Sequence, residues 1–248
     1  MASEWALTLK NLFLPVFCTL CGQRLLTEEN GYFCPTCWEM SPRIQRPFCS
    51  VCGKPHQGVA GFGPPVNFPC ADCRASEGRK RPYRRTFGAA VYSGAIMEAV
   101  KLLKFHDKQR LAGPLIELMA GFAVEEVDTE GYDALIPVPL HRVRERQRGF
   151  NQSRLLARGL LQTFPGARLD ESLRRVRPTR VQSRLESESA RRANVRGAFA
   201  VVDGEDLMGS TVLLVDDVVT TGHTVRECAA VLRRAGVAEV DIFAAALA

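Results

Sequence analysis

VLLVDDVVTTGHT, Val212 to Thr224, decides how the chain is read. Four apolar residues in a row predict a strand buried on both faces, as in a parallel sheet. Two carboxylates, Asp216 and Asp217, follow at its carboxyl end, and a helix is predicted to begin near Thr224. In an open parallel sheet, ligands bind beyond the carboxyl ends of the strands. The amides of Thr220 to Thr224 and the hydroxyls of Thr220, Thr221 and Thr224 can wrap a phosphate there. Gly222 lets the backbone approach closely, and the helix dipole adds attraction. A bare anion is repelled by two adjacent carboxylates, whereas a sugar phosphate is not. Its phosphate goes to the amides while its vicinal hydroxyls donate charge-assisted bonds to the acids.

Outward from that stretch, strand and helix patterns alternate. TFGAAVYSG (86–94) and ALIPVPL (134–140) read as strands, the second ending on prolines. Between them, Ile96 to Glu126 carries helical spacing, broken near Gly113 and Pro114. SRLLARGLLQTF is helical, GAFAV a short strand and TVLLVDD a strand. TVRECAAVLRRAG is an amphipathic helix closed by Gly236, and VDIFAAAL is a buried strand. The fold class is therefore α/β, a mostly parallel sheet with helices on both faces. VLLVDD also matches the first strand of a receiver domain. That fold needs a third aspartate several strands later, for which the 31 residues after Asp217 leave no room. No GxxxxGK[ST] occurs, so a P-loop is set aside.

Eight of the nine cysteines form four CxxC pairs: Cys18/Cys21, Cys34/Cys37, Cys49/Cys52 and Cys70/Cys73. Each CxxC puts two thiolates on one side of a tight turn, and two such turns complete a tetrahedral four-cysteine Zn²⁺ site. A disulfide framework needs an oxidising compartment, and a redox CxxC does not come in four copies. The expectation is two structural zinc ions. Used in order, the pairs give Cys18, Cys21, Cys34 and Cys37, then Cys49, Cys52, Cys70 and Cys73; a cross-braced order links the first pair to the third. Short separations favour the sequential order. His56 follows Cys52 closely and reads as a bystander, and Cys228 as a small buried hydrophobe. Trp38, Phe48 and Phe62 read as core of the small module.

The formal charge is +6 and the sequence pI about 8.9, which point weakly to an anionic partner. Arginines cluster at Arg142, Arg144, Arg146 and Arg148, and again from Arg174 to Arg196. The charged run RASEGRKRPYRR marks a crossing between domains, giving a zinc-binding module at 1–81 and a second domain at 82–248. The first residues carry Glu4, Lys10 and Pro15 and lack a basic start followed by a long apolar run. No signal peptide is read, and the expected location is cytoplasmic. Leu7, Leu9, Leu12 and Phe13 are expected to pack on the neighbouring module. No stretch reaches the roughly 20 apolar residues of a membrane helix.

At this point the residues resemble a known family. Val212–Thr224 is similar to the phosphoribosyl-pyrophosphate (PRPP) signature of type I phosphoribosyltransferases. LLKFHD (102–107), IPVPL followed by RERQRGFNQS (144–153), and RPTRVQSRLESESARRANVRGAF (177–199) resemble the ComF family, of ComF/GntX type, as does the cysteine-rich start. The resemblance spans almost the whole chain. It implies a type I phosphoribosyltransferase-like sheet with an N-terminal zinc ribbon. Asp216 and Asp217 become the catalytic candidates and the acceptors for the ribose hydroxyls. Thr220, Thr221, Gly222, His223 and Thr224 become the 5′-phosphate loop. Arg148, Asn151, Arg180, Gln182 and Arg191 are implied as pyrophosphate contacts, with Mg²⁺ arriving on the PRPP itself. Lys101 and Lys104 are two further cations for the same cleft, or simply the wet side of a helix. RGFNQS also has a structural reading: Gly149 a turn, Phe150 a core anchor, Asn151 and Gln152 near a helix start.

The resemblance implies a PRPP-binding protein of natural competence, acting in DNA uptake and transformation. Its partners would be single-stranded DNA and proteins of the competence machinery. An alternative is an active phosphoribosyltransferase of salvage metabolism, moving ribose 5-phosphate to a base or amine. A third is an adaptor that senses nucleotide supply. No segment is assignable to a particular base. Few aromatics accompany the arginines, which weighs against a stacking surface for single strands.

Overall fold

The computed structural model describes residues 15–25, 31–56, 66–78, 80–106, 108–179, 188–202 and 205–248. Leu7, Leu9, Leu12, Phe13 and Phe62 lie outside them. The cysteine-rich part holds a small antiparallel pair, β1 (Val16–Phe17) and β2 (Arg24–Leu25), and two short helices, α1 (Pro35–Glu39) and α2 (Ala71–Ala75). The rest opens with β3 (Thr86–Val91), α3 (Gly94–Phe105) and α4 (Ala112–Glu126). It continues with β4 (Ala134–Pro137), α5 (Arg142–Arg148), α6 (Gln152–Leu160), β5 (Arg168–Leu169) and β6 (Leu173–Arg175). It ends with α7 (Glu188–Val195), β7 (Phe199–Val201), β8 (Thr211–Val219), α8 (His223–Arg234) and β9 (Glu239–Leu247).

Five strands form a parallel sheet in the order β3-β9-β8-β4-β5, while β6 and β7 make a separate antiparallel ribbon. The sheet is buried on both faces because its central strands are apolar at most positions, VLLV on β8 and IFAAAL on β9. On β8, alternation sends Leu213 and Val215 into one core with Phe122, Leu156, Leu160 and Phe243. Val212 and Leu214 enter the other core with Val225, Ala229, Leu232 and Ile242. Each such side chain contributes about 1.5–3 kcal/mol on burial, so β8 is firmly anchored between the two cores.

Two element boundaries differ from the sequence reading. Helix α3 ends at Phe105 and a short helical turn, Gln109–Leu111, leads into α4, so the break precedes Gly113–Pro114, which sit in the first turn of α4. Proline is tolerated there because first-turn N–H groups lack intrahelical partners. Strand β8 also runs past the two acids, pairing Val218 with Ala246 and Val219 with Leu247. The acids therefore sit within the ladder, which fixes their backbone.

The cysteine-rich part is knit into the sheet. Residues 42–44 lie antiparallel on the edge of β3, with Ile44 N–H donating to Ala89 O (3.1 Å) and Val91 N–H to Pro42 O (2.9 Å). Thr86 N–H donates to Val51 O at 2.8 Å, and Ile44 and Phe48 enter the main core. An open edge strand invites pairing with other chains, and this connection covers it. The segment 80–85 is fastened too. Asp241, fully buried on β9, accepts from Arg84 (2.7 and 3.1 Å), Arg85 (3.2 Å) and Tyr132 Oη (2.8 Å).

Candidate functional site

The eight thiols of the CxxC pairs converge into two groups, Cys18/Cys21/Cys34/Cys37 and Cys49/Cys52/Cys70/Cys73, with all Sγ atoms of a group within 4.8 Å of one another. This is the sequential pairing, and it rules out the cross-braced one. Cys21 and Cys34 Sγ lie 3.7 Å apart, and Cys52 and Cys70 Sγ 3.8 Å. A tetrahedron with Zn–S near 2.3 Å has edges of about 3.8 Å, whereas a disulfide closes to about 2 Å. The donor set thus fits zinc. Backbone N–H groups already aim at sulfur: Cys37 at Cys34 (3.4 Å), and Val51, Cys52 and Cys70 at Cys49 (3.5, 3.4 and 3.2 Å). Burial alone would raise the Cys18 and Cys49 thiols, but backbone amides of Cys21, Cys34 and Leu20 at Cys18, and of Cys52, Cys70 and Val51 at Cys49, outweigh it and bring each down to about 6. His56 is no ligand. Its Nε2 sits 2.9 Å from Phe68 O and its ring stacks on Phe68. Four thiolates leave no open position, so these centres are structural.

Gly53 shows why a glycine follows a CxxC. Its φ is +74°, and an added Cβ would fall on the Thr86 carbonyl oxygen, where the second ribbon docks on β3.

The second site forms at the carboxyl end of the sheet. Asp216 is 8% exposed and Asp217 2%. The Lys104 ammonium, at the end of α3, lies 2.8 Å from Asp217 Oδ2. Ser153 Oγ donates to Asp216 Oδ1 (2.9 Å), which also accepts the Asp217 N–H (2.9 Å), and Asp217 Oδ1 accepts the Val218 N–H (2.8 Å). Burial, and then the neighbouring Asp217 charge, push the Asp216 carboxyl up to about 7 against the pull of Lys104. Burial alone would lower the Lys104 ammonium, but the Asp217 and Asp216 charges outweigh it and raise it.

Past Val219 the chain turns. Thr220 and Thr221 are exposed and Gly222, His223 and Thr224 half-buried. Gly222 caps α8 with φ +73° and no side-chain cap bond. Amides at a helix start suit an anion.

Cations surround this end of the sheet. Arg148, half-buried at the end of α5, feels the Asp217 charge, and burial lowers its guanidinium. It donates to Gln152 Oε1 and lies over the Phe105 ring at 5.8 Å. Arg175, on β6, lies within electrostatic range of Asp216 and is lowered by burial. Arg144 donates to Thr179 O at 2.9 Å.

Asn151 faces inward, 3% exposed. Its amide donates to Val138 O (3.1 Å) and its oxygen accepts Ser153 N–H (3.0 Å), capping α6. Both its polar atoms are thus engaged within the protein. Arg180 and Gln182 lie outside the described residues, as does the side chain of Arg191. Lys101 stands apart, 3.5 Å from Glu98 on its own helix. Sequence reasoning did not single out Ser153 and Arg175, and left Lys104 undecided. For Lys104 the signal is legible: it falls four residues after Val100 and eight after Ile96, both fully buried, so it rides on the apolar stripe.

The two thiolate centres and the acid-pair strand define a double-zinc-ribbon protein with a phosphoribosyltransferase-type sheet. Family models agree. The double zinc ribbon domain matches residues 9–74, and the phosphoribosyl transferase domain residues 149–247. The chain is 32% identical over 235 residues to the DNA utilization protein YhgH of Escherichia coli O157:H7, covering 94% of this chain and 97% of that protein. It is 29% identical to Competence protein F of Haemophilus influenzae, covering 93% and 96%. It is 26% identical to Competence protein ComFC of Bacillus subtilis, covering 85% and 82%. The chain belongs to the ComF family.

Among the described residues, no helix is long and apolar enough to cross a membrane.

Proposed function

We propose that the protein binds PRPP at the end of β8, in the service of DNA utilisation. Asp216 and Asp217 take the ribose hydroxyls, and the turn from Thr220 to Thr224 takes the 5′-phosphate. The observation that carries this is the juxtaposition on one continuous strand: two buried, charge-balanced acids, then an exposed threonine turn into a glycine-capped helix. Arg148 supplies a diphosphate contact, joined by Arg175, with Arg180, Gln182 and Arg191 as further candidates. Asn151 holds the start of α6 rather than touching ligand. Mg²⁺ travels with the diphosphate, since this ion keeps several waters and is commonly held through substrate phosphates.

The relatives named for DNA utilization and competence support a role near incoming DNA, in the cytoplasm, with single-stranded DNA and competence proteins as partners. A second reading, transfer of ribose 5-phosphate to an acceptor, is favoured by the desolvated guanidiniums of Arg148 and Arg175. Such cations are suited to the charge on a departing diphosphate.

The test is melting with PRPP and Mg²⁺. At a hundred times the dissociation constant, binding adds about 2.7 kcal/mol, or roughly 5–10 °C for a chain of this size. Asp217→Asn, compared with its own ligand-free midpoint, should show no rise. An unmoved wild-type midpoint at millimolar PRPP refutes the assignment. Pyrophosphate release with a panel of bases separates transfer from binding. Salt-sensitive capture of a labelled oligonucleotide tests the DNA role.

A further inference from the structure

Helix α3 is held on two sides. Ile96, Val100 and Leu103 enter the main core, while Ala95, Ala99 and Leu102 form the neighbouring stripe. That second stripe packs with Cys18, Leu25, Phe33 and Cys34 of the first ribbon, and Leu111, just past the helix, joins them. The helix start is pinned as well. Ser41 Oγ accepts the Ala95 N–H (3.0 Å) and donates to Cys37 O (3.2 Å), so a residue of the ribbon caps α3 in place of the helix's own Ser93. At the other end of α3, about 15 Å along the axis, the Lys104 ammonium meets Asp217 Oδ2 at 2.8 Å. A contact of that kind is lost when its partners separate by about 1 Å more. Helix α1, which carries Cys37 and accepts its N–H on the Cys34 sulfur, is too short to be stable alone. A metal ion on those two thiolates is what fixes it.

We propose that the first zinc centre is a positioning element of the acid pair. Metal on Cys18, Cys21, Cys34 and Cys37 fixes α1 and Ser41, these hold α3, and α3 holds Lys104 against Asp217. Zinc in that centre and ligand at the acid pair are then coupled across the helix, each raising the affinity for the other by the same factor. The second centre has a different duty. It docks on β3, where Thr86 N–H donates to Val51 O, and Phe48 beside Cys49 meets Phe122 of α4. The link from metal to Lys104 stands on these contacts, and its consequence for ligand rests on the sugar-phosphate reading above.

The test compares the full chain with Cys34→Ser/Cys37→Ser, which empties the first centre, and Cys52→Ser/Cys70→Ser, which empties the second. Native mass spectrometry counts the ions and circular dichroism verifies folding. A third variant, Ser41→Ala, keeps all eight thiols. Two readouts need no ligand: amide exchange along α3, and acylation of Lys104 relative to Lys101 on the same helix, read by peptide mass spectrometry. Emptying the first centre should speed both by about 5- to 150-fold, the range of a coupling free energy. Ser41→Ala should speed them by about 2- to 12-fold, the range of one hydrogen bond. Calorimetric titration should show ribose 5-phosphate weakened by a factor similar to the first in Cys34→Ser/Cys37→Ser. If α3 and Lys104 do not respond, or respond as strongly to loss of the second centre, the positioning role is wrong. Should Cys34→Ser/Cys37→Ser fail to fold, an unmoved Ser41→Ala refutes it instead. If they respond and ribose 5-phosphate binds as tightly as before, the coupling is refuted. If they respond and ribose 5-phosphate does not bind wild-type protein at millimolar concentration, the sugar-phosphate reading falls while the link from metal to Lys104 stands.

Discussion

Replacing Lys104 by methionine removes the ammonium and keeps most of the side-chain volume. The Lys104 Nζ–Asp217 Oδ2 separation of 2.8 Å corresponds to an attraction of roughly 6 kcal/mol at an effective dielectric of about 20. The lysine regains hydration in the unfolded state, so the net loss expected for breaking a buried pair is about 3–5 kcal/mol. Lys104 is 23% exposed, and the lower half of that range applies. At 2–4 °C per kcal/mol for a chain of this size, the midpoint should fall by roughly 6–16 °C. The loss should also depend on pH. Asp216 titrates near 7 in the folded protein against about 4 unfolded, so the folded state holds a proton that the unfolded state has released. Stability therefore falls as pH rises from about 4 to 7 and levels off above. Without Lys104 the Asp216 carboxyl rises further, and its window extends upward. At pH 6 the acid is protonated in both proteins and adds nothing to the difference. At pH 9 each further unit of upward shift adds about 1.4 kcal/mol to the variant's deficit. Urea denaturation by circular dichroism at pH 6 and pH 9 measures both terms. A deficit below about 1 kcal/mol, or one equal at the two pH values, refutes the coupled triad of Lys104, Asp216 and Asp217.

Three further outcomes follow from named contacts. Native mass spectrometry should find two zinc ions per chain, and chelation should melt the ribbons, because so small a module relies on its metal; fewer than two ions contradicts the geometry. Gly53→Ala should destabilise the chain by more than about 1 kcal/mol, since the residue needs φ +74° and its Cβ meets the Thr86 carbonyl; a neutral result in thermal melts would show that the second ribbon docks otherwise. Asp241→Ala strips Arg84, Arg85 and Tyr132 of their common acceptor and should cost about 3 kcal/mol or more. Its cost should shrink if Tyr132→Phe is already present, which a double-mutant cycle measures.

Much of this was legible because it is written in local patterns. The run VLLV announces a doubly buried strand, and each CxxC carries its own geometry, so strand β8 and the four knuckles needed no tertiary information. The end of β8 was not legible. Val218 and Val219 extend the ladder only because Ala246 and Leu247 lie alongside, a pairing that no local rule supplies. The short strands β5 and β6 escaped for the same reason. Arg168 and Arg175 carry the wrong polarity for a strand core and are held by partners distant in sequence. Asn151 illustrates the converse. Its side chain was open to two readings; its Oδ1 accepts the Ser153 N–H as a helix cap, while its amide donates to the carbonyl of Val138, thirteen residues away.

Lys104 offsets much of the cost of burying two adjacent carboxylates. An isolated buried anion is costly, and two together are worse. The chain meets this with an ammonium on Asp217, a hydroxyl and an amide on Asp216, and a raised Asp216 titration that lets it hold a proton near neutrality. A ligand bringing hydroxyl donors can then enter a site whose charge is already balanced, exchanging one set of donors for another. That requirement favours a diol over a simple anion, and it couples affinity to pH. As pH falls below 7, Asp216 is increasingly protonated and becomes a poorer acceptor, so affinity for a vicinal diol should weaken from pH 8 to pH 6. Affinity that stays flat or tightens over that interval, measured for ribose 5-phosphate across the second ionisation of its phosphate and corrected for it, would mean that Asp216 does not accept from the sugar.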